Sequence, residues 1–173
     1  LKKSIYFKPI TIKNIENSFN KPSDKIKKII NDKLRKAVIS KNIKEYVKNN
    51  KFICLFVKHY HNKKNYVLPS IRNTANINKI FSLINKLLKK DIKILVIGNS
   101  HDKFINILKE KITNKNLNFF KDLSDNYSIQ DQFYIANKSN LFIGSASGAS
   151  IPYFLLNKKI IHFDTIKARS DIK

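Results

Sequence analysis

The most informative part of the sequence is the stretch Leu141-Phe-Ile-Gly-Ser-Ala-Ser-Gly-Ala-Ser-Ile-Pro152. It begins with an apolar run of strand length and continues through a small polar turn that holds two of the chain's three glycines. Pro152 then favours the first turn of a helix. A strand that enters a helix through such a turn leaves several backbone N–H groups unpaired, with the helix dipole behind them. We therefore predict that a phosphate or carboxylate binds at Gly144, Ser145, Ser147 and Gly148. The alternative, that the small residues only allow close packing, stays open.

Outward from this turn, apolar runs of strand length alternate with segments of helical periodicity. The predicted strands are residues 52–57, 92–97, 117–120, 141–143 and 160–163, and the predicted helices are residues 77–88, 104–112 and 129–136. Such alternation indicates an α/β fold with a mainly parallel, Rossmann-like sheet of about five strands and right-handed crossovers. Ligands of such sheets bind where loops leave the carboxyl ends of the strands. The turns at Lys58 and at Gly98-Asn99 are therefore predicted to join the site.

Residues 1–50 have a different character from the alternating part. A strand over residues 4–12 and Lys-rich helices over residues 23–39 and 42–48 are predicted, with Ser23 as the N-cap of the first helix. We interpret this part as an N-terminal connector and residues 51–173 as the Rossmann-like domain. Because the chain contains no Met, we expect it to be part of a longer protein, with the domain truncated at its C-terminus.

The net charge of +23 arises from 35 basic and 12 acidic residues, and only three of the basic residues are arginine. The lysines are spread over all polar faces, which favours a solvated surface. An anionic membrane surface and nucleic acid remain alternatives, although no specific nucleic acid is expected. Cys54, the single cysteine, lies in an apolar run and excludes a disulfide framework. We expect a cytoplasmic location, with the inner face of the membrane as the site of any lipid contact.

Several catalytic motifs are absent from the sequence. The turn lacks the central serine of G-x-S-x-G, and neither a P-loop nor G-x-G-x-x-G occurs. His59 and His61 have no carboxylate near them in sequence, and His101 and His162 are isolated, so we predict no metal site.

Arg72 stands out in a chain that otherwise uses lysine. Its guanidinium can hold a phosphate or carboxylate through two parallel hydrogen bonds, which lysine cannot do. We predict a binding role for Arg72 with its neighbour Asn73. A local salt bridge is the open alternative.

The order of these motifs resembles the nucleotide-binding, C-terminal half of a family of bacterial GT-B glycosyltransferases. The resemblance covers roughly residues 51–165 and rests on the first strand with Lys58, Arg72-Asn73, residues 94–98, Asp131, and the turn from Gly144 to Pro152. The chain departs from the family where the first strand ends, since Phe56 and Lys58 replace a histidine and an arginine.

The resemblance implies that a sugar is transferred from a nucleotide-diphosphate donor to an unknown acceptor, in polysaccharide or glycoconjugate synthesis. It also implies that no cofactor and no obligatory metal is needed. Asp131, at the start of a predicted helix, could reach a ribose or sugar hydroxyl, or serve only the helix N-terminus. The catalytic base stays unassigned. A nucleotide-sugar epimerase, a degenerate nucleotide-binding module and a basic nucleic-acid-binding domain are the alternatives.

Overall fold

The computed structural model describes residues 24–57, 77–98, 103–124, 127–145 and 148–163. Its helices are α1 (Asp24–Lys36), α2 (Lys41–Asn49), α3 (Ile77–Leu88), α4 (Lys103–Lys111), α5 (Phe120–Leu123), α6 (Ile129–Lys138) and α7 (Ile151–Leu155), with a 3₁₀ turn at Gly148–Ser150. Its strands are β1 (Phe52–Phe56), β2 (Lys93–Ile97), β3 (Leu117–Phe119), β4 (Leu141–Ser145) and β5 (Ile160–Phe163). Of the described helices, none has both the length and the apolar character needed to cross a membrane.

The five strands form one parallel sheet in the order β3-β2-β1-β4-β5. The predicted α/β fold with a Rossmann-like parallel sheet is therefore confirmed. The chain builds the sheet outward from β1 through β2 to β3, and then returns to the other side of β1 to add β4 and β5. The third strand is one residue shorter than predicted, because Phe120 turns out of the strand and begins α5.

Each face of the sheet carries its own apolar core, because side chains alternate along the strands. On one face, Ile53 and Leu55 of β1 pack with the apolar sides of α3 and α4. On the other face, Phe52 and Cys54 pack with α2, α5, α6 and α7. Burial on both faces explains why the strands are continuous apolar runs rather than alternating ones.

Residues 24–50 contribute to the second core. Ile39, Ile43 and Tyr46 are buried there, and the Tyr46 ring lies 5.2 Å from that of Phe52, centroid to centroid. The described part of the predicted connector is thus packed onto the sheet. The division of the chain into a connector and a domain stays a prediction. The predicted strand over residues 4–12 and the N-cap Ser23 lie outside the described residues.

Cys54 behaves as the sequence predicts, as a small buried apolar residue. It is free and fully buried, and burial raises the pKa of its thiol to about 12. The nearby Tyr153 hydroxyl is also fully buried, and the same desolvation raises its pKa. Burial therefore favours the neutral form of both groups.

Gly144 is required by the pairing of β4 with β1. A Cβ atom at this position would lie 2.7 Å from the backbone oxygen of Phe56 and 2.9 Å from the ring of Phe142. Neither neighbour can move easily, because Phe56 is paired with Gly144 in the sheet and Phe142 is fully buried against Tyr153. Close packing thus accounts for this glycine without any ligand.

We predict that Gly144→Ala lowers the free energy of unfolding by about 1–3 kcal/mol, the usual cost of overpacking a core. Urea denaturation measures this change. Gly148→Ala is the matched control, because its Cβ atom would meet only Ile151 Cδ1, at 4.0 Å, and we expect its unfolding free energy to stay within about 0.5 kcal/mol of the parent. Equal effects of the two substitutions would contradict this account of β4.

Candidate functional site

Three strands end side by side at the carboxyl edge of the sheet. Phe56 of β1 is in register with Ile97 of β2 on one side and with Gly144 of β4 on the other. The next residues along these strands, Val57, Gly98 and Ser145, therefore lie in one row at this edge. Because the chain leaves β1 toward β2 on one face and reaches β4 from the other face, this is the topological switch point of the sheet. Open α/β sheets bind their ligands at such points.

The predicted site residues divide between described and undescribed parts of the chain. Gly98 and Ser145 lie at the carboxyl edge, Gly144 lies one position before it in β4, and Gly148 begins the 3₁₀ turn that follows. Asp131 lies on α6, which precedes β4 in sequence, and so does not itself follow the end of a strand. The other predicted residues, Lys58, Arg72, Asn73, Asn99 and Ser147, lie outside the described residues and stay predictions.

The turn after β4 differs in detail from its sequence prediction. None of the chain's three glycines has a positive φ, so a left-handed backbone is not the reason for Gly148. Pro152 lies in the first turn of a helix, as predicted, but α7 has only five residues. Because so short a helix has a small macrodipole, any attraction of this turn for an anion depends on individual N–H groups.

Gly148 is exposed, and the space in front of its Cα is open. The fold therefore does not require glycine here, in contrast to Gly144. A ligand that approaches the backbone closely would require it. Gly148 is thus the residue of the turn at which binding and packing can be separated by mutation.

Tyr127 is an unexpected contributor to this edge of the sheet. Its hydroxyl donates a hydrogen bond to the backbone oxygen of Gly98, and its ring packs edge-on against Phe120 at 4.8 Å between centroids. The contact ties the segment before α6 to the end of β2. Tyr127 also has a positive φ of 50°, which is uncommon for a residue other than glycine. Sequence reasoning missed it, because a tyrosine in a polar loop carries no local signal.

Asp131 is a buried hydrogen-bond acceptor in this structure, and its proposed contact with a ribose or sugar hydroxyl stays a prediction. Its side chain is 1% exposed, and Oδ1 accepts a hydrogen bond from the Ser40 backbone N–H at 3.0 Å. Oδ2 accepts from the hydroxyls of Ser40, at 2.6 Å, and Ser124, at 2.7 Å. The Asp131 N–H in turn donates to Ser128, the N-cap of α6. The carboxylate thus joins the α1–α2 connection to α6 and to the end of α5.

His162 is the one histidine in the described part of the chain. It lies on β5 with its ring perpendicular to that of Phe142 at 6.2 Å between centroids, and partial desolvation lowers its pKa. Within the described ranges, no group of three or more His, Cys, Asp or Glu side chains could hold a metal ion. His59, His61 and His101 lie outside those ranges.

Comparison with known proteins gives a match of fold. No protein-family model matches the chain, and no curated protein matches it. A solved structure of UDP-GlcNAc 2-epimerase from Methanocaldococcus jannaschii, in complex with UDP-GlcNAc and UDP, matches with a TM-score of 0.53 at 12% identity. The match covers 79% of this chain and 36% of the epimerase chain, so this chain spans well under half of that protein. The predicted fold, one half of a GT-B-like structure, is thereby supported, and the glycosyltransferase family stays a prediction.

We predict that Asp131→Ala lowers the free energy of unfolding by about 2–3 kcal/mol, because the donors of Ser40 and Ser124 lose a charged, buried acceptor. Urea denaturation measures the change. Asp122→Ala is the control, because this carboxylate pairs with Lys109 at 2.7 Å on the exposed surface, where an ion pair contributes under about 1 kcal/mol. If Asp131→Ala left stability unchanged and abolished nucleotide binding, Asp131 would be a ligand contact after all.

Proposed function

We propose that the carboxyl edge of the sheet, at the ends of β1, β2 and β4, binds the diphosphate of a nucleotide sugar. The observation that carries this proposal is the switch point itself, where the row Val57, Gly98 and Ser145 lies between two crossovers on opposite faces. The matching epimerase structure, which has the same kind of fold, contains UDP-GlcNAc and UDP.

The residues proposed to hold the diphosphate are of two kinds. Backbone N–H groups of the turn from Gly144 to Gly148 would donate to phosphate oxygens without carrying a full charge. Lys58, which follows Val57 directly in sequence, and Arg72 with Asn73 would supply cations and further donors. Gly98-Asn99 would complete the edge from the β2 side, with Tyr127 acting as a positioning residue through its bond to the Gly98 oxygen.

The proposed activity is sugar transfer. The bond between the anomeric carbon and the β-phosphate oxygen breaks, and its electron pair stays on the departing phosphate oxygen. The acceptor hydroxyl forms a new bond to the anomeric carbon and gives up its proton to a base that stays unassigned. Donors arranged around the phosphate would stabilise the growing negative charge, and such electrostatic stabilisation is usually the largest single contribution to catalysis. The supporting observation is the resemblance in motif order to bacterial GT-B glycosyltransferases.

Epimerisation is the second candidate activity, and the fold match to a UDP-GlcNAc 2-epimerase favours it. Both activities need the same diphosphate site. They differ in their products, so the site described above is compatible with either. Incubation of the chain with UDP-GlcNAc, with and without an added acceptor, distinguishes the two activities. A changed sugar configuration, read by NMR, supports the epimerase, whereas UDP release that depends on an added acceptor supports the transferase.

We predict that Gly148→Val weakens UDP binding by at least about tenfold, because a branched side chain would block close approach of a phosphate to the backbone. Titration calorimetry with UDP measures the affinity. The unfolding midpoint should stay near that of the parent, since the space around Gly148 is open. Unchanged UDP affinity in a folded Gly148→Val protein would remove the turn from the site.

We predict that Arg72→Lys costs about 1.5–3 kcal/mol in the free energy of UDP binding, because lysine keeps the charge and loses the bidentate geometry. The same calorimetric titration reads this change. Arg35→Lys is the control, since Arg35 is an exposed residue whose partner is Asp32, at 3.5 Å on the same helix. An equal, small effect of both substitutions would argue against a phosphate contact by Arg72.

A further inference from the structure

Helix α1 combines many positive charges with exposed apolar side chains. It carries six basic and two acidic residues in the sequence DKIKKIINDKLRK, and none of its side chains is fully buried. One attachment is the Asn137 side chain, which donates a hydrogen bond to Asn31 at 3.0 Å and joins α6 to α1. The helix is therefore held on one side and leaves a flank open among the described residues.

The open flank of α1 is both apolar and cationic. Ile26, Ile29, Lys33 and Lys36 follow one another at spacings of three and four residues, which places them on one stripe of the helix. Ile26 is 40% exposed and Ile29 is 47% exposed. Beside this stripe, a groove of about 470 Å³ runs between α1 and the start of α6. Its lining combines Lys33 and Lys36 with apolar side chains that include Ile30, Leu34, Ile129 and Phe133.

Two further apolar side chains project next to the groove. Val38, just after α1, is 93% exposed, and Ile129, the first residue of α6, is 63% exposed. Val38 shares a second depression with Ser128 and Gln130, the two neighbours of Ile129 in sequence. We call Ile26, Ile29, Val38 and Ile129, together with Lys33 and Lys36, the α1 face.

We propose that the α1 face binds the surface of an anionic lipid bilayer. At the surface of such a bilayer, the exposed isoleucine and valine side chains would contact acyl chains, and the lysines would contact negative headgroups. Among the acidic residues near this surface, Asp131 is buried against serines and Asp32 pairs with Arg35. Asp24 precedes Ile26 by two residues and therefore faces another side of α1. The net charge of +23 adds long-range attraction to such a membrane.

Other occupants of the α1 face fit these observations less well. A nucleic acid would attract the lysines, but its phosphate backbone would make no favourable contact with the exposed side chains of Ile29 and Val38. A second copy of this chain would bring two strongly positive molecules together. The proposal is independent of nucleotide binding, because the α1 face and the carboxyl edge of the sheet use different residues.

The chain contains no tryptophan, so one introduced tryptophan reports on its own surroundings. In the full chain, we expect the emission of Val38→Trp to shift to the blue and to be quenched by brominated acyl chains in vesicles of phosphatidylcholine with about a third phosphatidylglycerol. Phosphatidylcholine alone should give little change. Ile161→Trp is the control, since Ile161 is 53% exposed on β5, and it should report no change with either vesicle. Equal quenching at both positions, or none at Val38→Trp, would overturn the proposal.

Vesicle cosedimentation of full-chain variants then separates the apolar from the electrostatic contribution. We expect Ile29→Ser with Val38→Ser, which keeps the charge, to reduce binding about tenfold. Lys33→Gln with Lys36→Gln should also reduce binding about tenfold. Lys89→Gln with Lys90→Gln, two exposed lysines after α3, removes the same charge elsewhere and should reduce binding much less. If both lysine pairs mattered equally and the serine variant bound normally, only a diffuse electrostatic attraction would remain, and the α1 face would not be the docking surface.

A duplex RNA oligonucleotide tests the competing macromolecule with the same reporter. We expect duplex RNA to leave the emission maximum of Val38→Trp unchanged. A shift with RNA and none with anionic vesicles would assign the α1 face to nucleic acid and overturn the membrane proposal.

Discussion

Strand β1 is paired on both of its sides, and these two pairings position the other strands and the helices that cover them. This strand is hydrogen-bonded to β2 on one side and to β4 on the other, with Phe52 and Cys54 buried in one core and Ile53 and Leu55 in the other. A shift of one residue would move each of these side chains to the wrong face, so burial holds both registers at once. The same registers bring three strand ends into one row and leave no room for a side chain at Gly144.

Asp131 provides the second constraint, and it acts on the helical layer. Its carboxylate accepts three hydrogen bonds from two serines, one in the α1–α2 connection and one after α5. A buried carboxylate needs such donors to offset its desolvation. Since Val38 lies two residues before Ser40, this network anchors the chain next to one residue of the α1 face.

The two proposals for this protein depend on different parts of the fold. The nucleotide-sugar site would use the ends of β1, β2 and β4, where the sheet topology creates a crevice. The α1 face would use side chains of helices that cover the sheet. The two glycines of the turn after β4 illustrate the division between stability and binding, since Gly144 is required by packing and Gly148 is not.

Apart from the short helix α5, the sequence predicted the order and type of the described strands and α-helices from residue 52 onward, because burial on both faces demands continuous apolar runs for strands and a 3.6-residue period for helices. It also determined that Cys54 is buried. Only the tertiary structure decided that Asp131 serves Ser40, a partner 91 residues away, and that Tyr127 holds the Gly98 oxygen, 29 residues away. A glycine in the sequence likewise does not reveal whether a Cβ atom would meet backbone, as at Gly144, or open space, as at Gly148. Periodicity is a local property of the chain, whereas hydrogen-bond partners and close contacts arise between segments that meet only after folding.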